Sequence, residues 1–192
     1  MFNIKFQSIG LSKGGNILWG IDEENVLRLW DLDKYTVRDG KKYRGEKINF
    51  EKGDVWDLKW SSDDTGSFCF IEKNKINVVK NLEIQEVITC NGYLANYSNL
   101  EIKAACLEEI MYRPEDNKLS PAEVILTFEI RSLRDLREMI KAKVPIKEIY
   151  TVVERMNHHK TWNLLTQHAL LNLDTSIAEK VSLYLNPVYD SI

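Results

Sequence analysis

Val55-Trp56-Asp57-Leu58-Lys59-Trp60 is followed by Ser61-Ser62-Asp63-Asp64-Thr65-Gly66 and then by Phe68 and Phe70, and on this stretch the fold class turns. Trp56, Leu58 and Trp60 share one face of an extended chain while Asp57 and Lys59 take the other, because successive side chains of a strand point to opposite sides. The Ser/Asp/Gly run supplies a turn, and Phe68 and Phe70 begin the return strand. Lys73-Asn74-Lys75 then connects to a third strand, Ile76 to Lys80, which completes a meander from Val55 to Leu82.

Upstream, the same design recurs. Phe6 to Leu11, Asn16 to Ile21 and Val26 to Trp30 read as three strands, separated by Gly14-Gly15 and by Asp22-Glu23-Glu24-Asn25. Trp30-Asp31 closes this unit, and the next equivalent strand begins near Val55, a period of roughly 45 to 50 residues that matches propeller blades. In a WD blade the tryptophan packs between neighbouring blades and the acidic residue helps hold the tight connections. The Gly-His pair usual in such repeats is absent, so a different polar network is expected here. Trp30, Asp31, Trp56, Trp60, Phe68 and Phe70 are the expected packing residues of the blades.

Downstream, Leu100, Ile102, Ala104 and Cys106 alternate with polar neighbours, and so do Val124, Leu126, Phe128 and Ile130, with a Pro-bearing loop from Met111 to Pro121 between them. Beyond Ile130 the period changes to about 3.6. Leu133, Leu136 and Ile140 form one helical stripe over Ser132 to Ala142, with Arg131/Asp135 and Arg134/Glu138 as pairs four apart on the wetter side. Pro145 suits the first turn of a second helix bearing Ile146, Ile149, Tyr150 and Val153. A third helix starts near Thr161 and carries Trp162, Leu165, Ala169 and Leu173; Ser176 with Glu179 forms a capping-box pattern for a fourth. The expected organisation is a β part over residues 1–130, holding about three blades of a WD-type propeller, and a helical solenoid beginning over 131–192 with two helix pairs. Phe128, Ile130, Leu133, Leu136 and Ile140 are the expected joint, and Ile149, Val153, Trp162 and Leu165 the solenoid packing. Three blades are too few for a closed ring, so the chain reads as an excerpt of a longer polypeptide, with completion by strands in trans as the weaker option.

The 192 residues carry 29 acidic and 26 basic side chains, a formal charge of −3, and 44% hydrophobic content. That balance offers no general electrostatic footprint for nucleic acid. No window has the roughly 18 consecutive apolar residues of a spanning helix, and no basic-then-apolar leader follows Met1, so a soluble intracellular protein is expected. Cys69, Cys90 and Cys106 are odd in number and sit in apolar runs, as buried hydrophobes in a reducing compartment do.

Catalytic constellations are sparse. His158 and His159 fall in an interhelical link and His168 in a helix, where solvated or packing roles are the ordinary reading. The cysteines lack zinc-ligand spacing, so no metal site is read. Gly14-Gly15 lacks the Lys-Ser/Thr of a phosphate loop. Lys41-Lys42-Tyr43-Arg44, flanked by Asp39 and Glu46, reads as a solvated loop more than a nucleic-acid patch, and Glu108-Glu109 as a rim feature. Neither an enzyme nor a cofactor is indicated.

Gly92-Tyr93-Leu94, leading through Asn99-Leu100-Glu101-Ile102-Lys103-Ala104 to Leu107-Glu108-Glu109-Ile110-Met111, resembles the end of the second propeller in the WD-repeat subunits of intraflagellar transport complex A. Phe128-Glu129-Ile130-Arg131-Ser132-Leu133-Arg134-Asp135 continues the resemblance, as do Asp54 to Trp60, Phe68 to Leu82, Trp162 to Leu165 and Ala169 to Asp174. The family's Asn-Pro-His-Pro link stands here as Asn157-His158-His159-Lys160, without the prolines. The resemblance implies a structural scaffold in retrograde ciliary transport, ciliary protein entry and cilium assembly. It implies other WD-repeat and tetratricopeptide-type subunits of complex A as partners, indirect coupling to motor and membrane cargo, and a place at the cilium, the basal body and the cytoskeleton. A coatomer-like vesicle coat subunit and a free-standing WD adaptor are the alternatives.

Overall fold

The computed structural model describes residues 5–107, 111 and 124–185. Contacts divide the chain into two compact units, Met1–Phe128 and Glu129–Ile192.

In the first unit, β1 (Phe6–Leu11), β2 (Ile17–Asp22), β3 (Leu27–Arg38) and β4 (Lys41–Lys52) form an antiparallel sheet in chain order. A second sheet repeats the plan with β5 (Val55–Trp60), β6 (Ser67–Glu72), β7 (Lys75–Lys80) and β8 (Glu83–Thr89). A third holds β9 (Gly92–Ser98), β10 (Glu101–Cys106) and β11 (Ile125–Glu129), in the order β11-β10-β9. This is a partial propeller-like arrangement of antiparallel sheets, followed by four helices.

Four departures from the sequence reading have physical causes. The first two sheets have four strands each, not three. Lys41-Lys42-Tyr43-Arg44 is not a loop but the start of β4, because Asp39 (φ 49°) and Gly40 (φ 71°) take left-handed conformations and turn β3 straight back. Asn81 (φ 51°) and Leu82 (φ 67°) do the same ahead of β8. Leu100 belongs to such a turn as well, after Asn99, and not to the strand face of Ile102, Ala104 and Cys106.

The fourth concerns Trp56. The pairing of Val55 with Glu72 and Asp57 with Ile71 leaves Trp56 as an extra residue in a bulge, which shifts the phase of the alternation. Val55, Leu58 and Trp60 therefore face the core, and Trp56 stands 43% exposed.

That core lies between the first two sheets. Ile21, Leu27, Leu29 and Phe50 from one meet Val55, Leu58, Phe68, Phe70 and Val79 from the other, with Ile17, Trp19, Ile48 and Trp60 packed at the margin. The Phe50 ring meets Phe68 edge-on at 5.6 Å, and Trp60 stacks on Phe68 at 4.7 Å. Full burial of one such side chain is worth about 1.5–3 kcal/mol, against about 0–1 for an exposed ion pair. Apolar contact therefore holds these sheets together.

In the second unit, α1 (Arg131–Lys141), α2 (Ile146–Met156), α3 (His159–Leu171) and α4 (Thr175–Leu185) follow one another with short links. Leu136, Ile149, Val153, Trp162, Leu165, Ala169, Ile177, Ala178 and Val181 form its core, joined at the edge by Ile140. Pro145 precedes α2 directly, and Asn157 ends that helix in the left-handed region (φ 43°). The third helix begins earlier than Thr161, because the His158 imidazole Nδ1 accepts from the Lys160 N–H at 3.1 Å and caps it. The fourth is capped by Asp174 instead of Ser176: Asp174 Oδ1 accepts from the Ile177 N–H at 3.2 Å and from the Ser176 hydroxyl at 3.0 Å. The Met111 to Pro121 loop and the Glu108-Glu109 pair lie outside the described residues, apart from Met111.

Candidate functional site

The residues singled out in the sequence fall into separate places. Trp30, in the middle of β3, is buried on the side of the first sheet that points away from the second, where the Phe6 ring meets it edge-on at 5.6 Å. Phe6 lies directly over Gly20; a Cβ there would come within 2.7 Å of the ring, so only glycine admits this packing. Phe6, Leu18, Trp30, Leu32, Arg44 and Gly45 line a cavity of about 90 Å³ on the same side. Leu11 opposite Leu18 and Ile9 opposite Gly20 extend this face, and both are more than half exposed. Asp31 acts within its own hairpin. Its Oδ1 accepts from the Asp33 N–H at 3.0 Å, and Lys34 approaches to 3.6 Å, so it shapes the irregular start of the β3–β4 hairpin.

Other carboxylates hold the connections. Asp22, buried at the end of β2, accepts from the Glu24 N–H (3.0 Å) and the Val26 N–H (2.8 Å) and pairs with Arg28. Burial alone would raise its pKa, but the Val26 N–H and the Arg28 guanidinium outweigh that and hold it below the usual carboxylate value. In the β5–β6 turn the Asp64 carboxylate accepts from the Gly66 N–H (2.9 Å) and the Ser67 hydroxyl (2.7 Å). Asp63 accepts from the Asn99 N–H at 2.5 Å, and the Ser62 N–H donates to the Tyr97 carbonyl at 3.0 Å. The second sheet is thereby fastened to the β9–β10 turn of the third. Asp57 also faces the third sheet: burial raises its pKa, against Lys59 and the N–H groups of Leu58 and Leu94.

This network was missed in the sequence. The turn at Ser61 to Gly66 is readable there, but which strand pair it reaches is not. Buried Asn77 of β7 was missed too; its Nδ2 meets no acceptor among the described residues.

Cys69, Cys90 and Cys106 are buried thiols that form no disulfide among the described residues, and burial pushes the Cys69 thiol and the Tyr97 phenol well above their ordinary values, away from nucleophilic use. His158 is a buried helix cap, not part of a solvated link. His168 lies in the last turn of α3 beside Asn172. Trp162 is buried, meets Tyr150 edge-on at 5.6 Å, and donates from its indole N–H to Asn157 Oδ1 at 3.3 Å. Leu133 and Leu136 are fully buried, while Phe128, Ile130 and Ile140 are half-buried. No helix among the described residues is long and apolar enough to cross a membrane.

The family model described as the WDR35 second beta-propeller matches residues 2–129. The chain belongs to this family. The three sheets of Met1–Phe128 are thus blades of a WD-repeat β-propeller whose turns are held by Asp22, Asp63 and Asp64. Over 180 residues, 93% of this chain, it is 38% identical to human WD repeat-containing protein 35. It is 39% identical to the rat protein of the same name over 161 residues, 83% of this chain. The chain spans 15% of the length of the human relative and 13% of the rat one. Among solved structures, Kluyvelomyces marxianus Hsv2 aligns with a TM-score of 0.37 at 9% identity, covering 67% of this chain and 40% of that one. The beta-propeller domain of Myceliophteria thermophila Cps50 (Swd1) aligns with a TM-score of 0.38 at 14% identity, covering 66% and 39%.

Proposed function

We propose that this chain is part of a structural scaffold subunit of an intraflagellar transport complex A particle, serving retrograde ciliary transport, ciliary protein entry and cilium assembly through protein–protein contacts. The observation that carries the reading is the match to the WDR35 second propeller across residues 2–129, with identity to WD repeat-containing protein 35 extending through 93% of the chain. Residues 1–130 are the C-terminal blades of that propeller, and 131–192 the first two helix pairs of a tetratricopeptide-like solenoid. Phe128, Ile130, Leu133, Leu136 and Ile140 set how the one leaves the other. Its partners are other WD-repeat and tetratricopeptide-type subunits, with motor and membrane cargo coupled indirectly, and its place is the cilium and basal body.

A scaffold of this kind works by geometry and not by bond chemistry. The dominance of apolar packing and turn-holding carboxylates over reactive groups supports that reading. The test is localisation of the tagged full-length protein together with affinity purification. Ciliary and basal-body signal with co-purified complex A subunits is the expected result. Golgi-vesicle signal with coat subunits would replace the reading by a coatomer-like one.

A further inference from the structure

The β3–β4 hairpin outruns its sheet. Pairing of β2 with β3 stops at Ile17 opposite Asp31, whereas β3 and β4 continue through Tyr35–Arg44, Thr36–Tyr43, Val37–Lys42 and Arg38–Lys41. Past Asp31 the sheet is therefore a two-stranded ribbon, and β4 is the last strand in the sheet order, so its outer backbone edge has no strand partner among the described residues. A ribbon of two strands is marginal in water and gains from a third.

Its side chains point to what that third strand is. By register, Tyr35, Val37, Lys42 and Arg44 share one face, and Thr36, Tyr43 and Lys41 the other. Tyr35 is 53% exposed, Val37 69% and Tyr43 49%, more apolar and aromatic surface than a solvated hairpin needs. Lys42 Nζ sits 4.1 Å from the Tyr35 ring centroid, which keeps that ring spread along the ribbon. Over residues 33–47, six basic residues (Lys34, Arg38, Lys41, Lys42, Arg44 and Lys47) stand against three acidic ones (Asp33, Asp39 and Glu46), so the ribbon is locally basic in a chain whose net charge is −3. Bilayer insertion fits poorly: the tip is Asp39-Gly40, and apolar groups stand on both faces instead of one.

We propose that the outer edge of β4, from Lys41 to Lys47, takes an extended acidic peptide from a partner protein as an added strand. Backbone hydrogen bonds would supply the pairing, the Tyr43 ring and the aliphatic stems of Lys42 and Arg44 on β4 the apolar contact, and the basic groups the charge preference. The inference stands on the ribbon alone and does not depend on membership of a ciliary complex.

The experiment uses the 192-residue chain and a fluorescein-labelled alternating Glu-Val peptide of about twelve residues. Controls are a Glu-Val peptide N-methylated at every residue, equally acidic but with no strand-edge N–H to donate, an alternating Lys-Val peptide, and phosphatidylserine-containing vesicles. The expected results are saturable binding of the Glu-Val peptide that weakens with salt and slowed amide exchange within Lys41–Lys47. Binding should also fall by about tenfold or more in Lys41→Glu/Lys42→Glu. Equal binding of the N-methylated peptide, slowed exchange elsewhere only, unchanged affinity in the variant, absence of saturable binding, or ribbon-dependent vesicle binding without peptide binding would each overturn the proposal. The exchange measurement on the unsubstituted chain keeps it testable if the variant folds poorly.

Discussion

Asp22 and Asp57 couple protonation to stability in opposite directions. Asp22 has its pKa lowered: burial works against the charge, but the Val26 N–H and Arg28 prevail. Its contribution is fully present above the ordinary carboxylate range and is lost as pH falls through the lowered value. Asp57 has its pKa raised, chiefly by burial. The native state then binds the proton more tightly than the unfolded chain, so stability declines as pH rises from the ordinary value through the raised one. Asp22→Ala should cost about 2–3 kcal/mol at neutral pH, since two backbone donors and a guanidinium lose their acceptor, and should flatten the acid limb of the melting curve. Asp57→Asn should change neutral-pH stability by about 1 kcal/mol or less, with the loss on raising pH abolished. Thermal melts from about pH 3 to 7 check both, and identical pH profiles for the two variants would refute the assignment.

Among the helices, Leu136 and Trp162 carry the largest expected effects. Leu136 is fully enclosed with Ile149 and Val153, and Trp162 fills the space beside Tyr150 and Leu165. Trp162→Ala should cost about 3–5 kcal/mol by lost transfer energy and a residual cavity. Leu136→Asp should be at least as damaging, since it buries a charge without a partner. Denaturant unfolding followed by helical circular dichroism measures both, and unchanged midpoints would show that these residues do not hold the helices together. The exposed Arg131–Asp135 pair, 3.7 Å apart, should be near neutral when removed. Periodicity sufficed to find all four helices, yet two caps needed coordinates. His158 and Asp174 are recognisable only by the N–H groups they accept.

At the scale of the molecule, the side of the first sheet that points away from the second is apolar. Ile9 and Leu11 stand exposed there next to Phe6, Leu18 and Trp30, on the side where a propeller blade ordinarily meets its neighbour. Such a face favours self-association. Ile9→Lys with Leu11→Lys should reduce light scattering and oligomer content of the purified chain while shifting its melting midpoint little, since both side chains are already largely in water. Equal scattering before and after substitution would show that this face does not drive association.

The residue order alone established a β part built on repeated meanders and a helical part beginning near Arg131, because a face buried along its length imprints its period on the chain. Phe68, Phe70, Leu136, Val153 and Trp162 are buried, each at a position where the period is unbroken. Folding in three dimensions settled the rest. The strands β4 and β8 are exposed on most of their residues, so only a short stretch of each carries a buried face. The bulge before Asp57 exchanges Trp56 for Val55 on the core face, a phase shift that only strand pairing reveals. Asp22, Asp63 and Asp64 hold turns through partners set by how strands and sheets meet, and a carboxylate's spacing in the chain carries no record of the N–H group it will find.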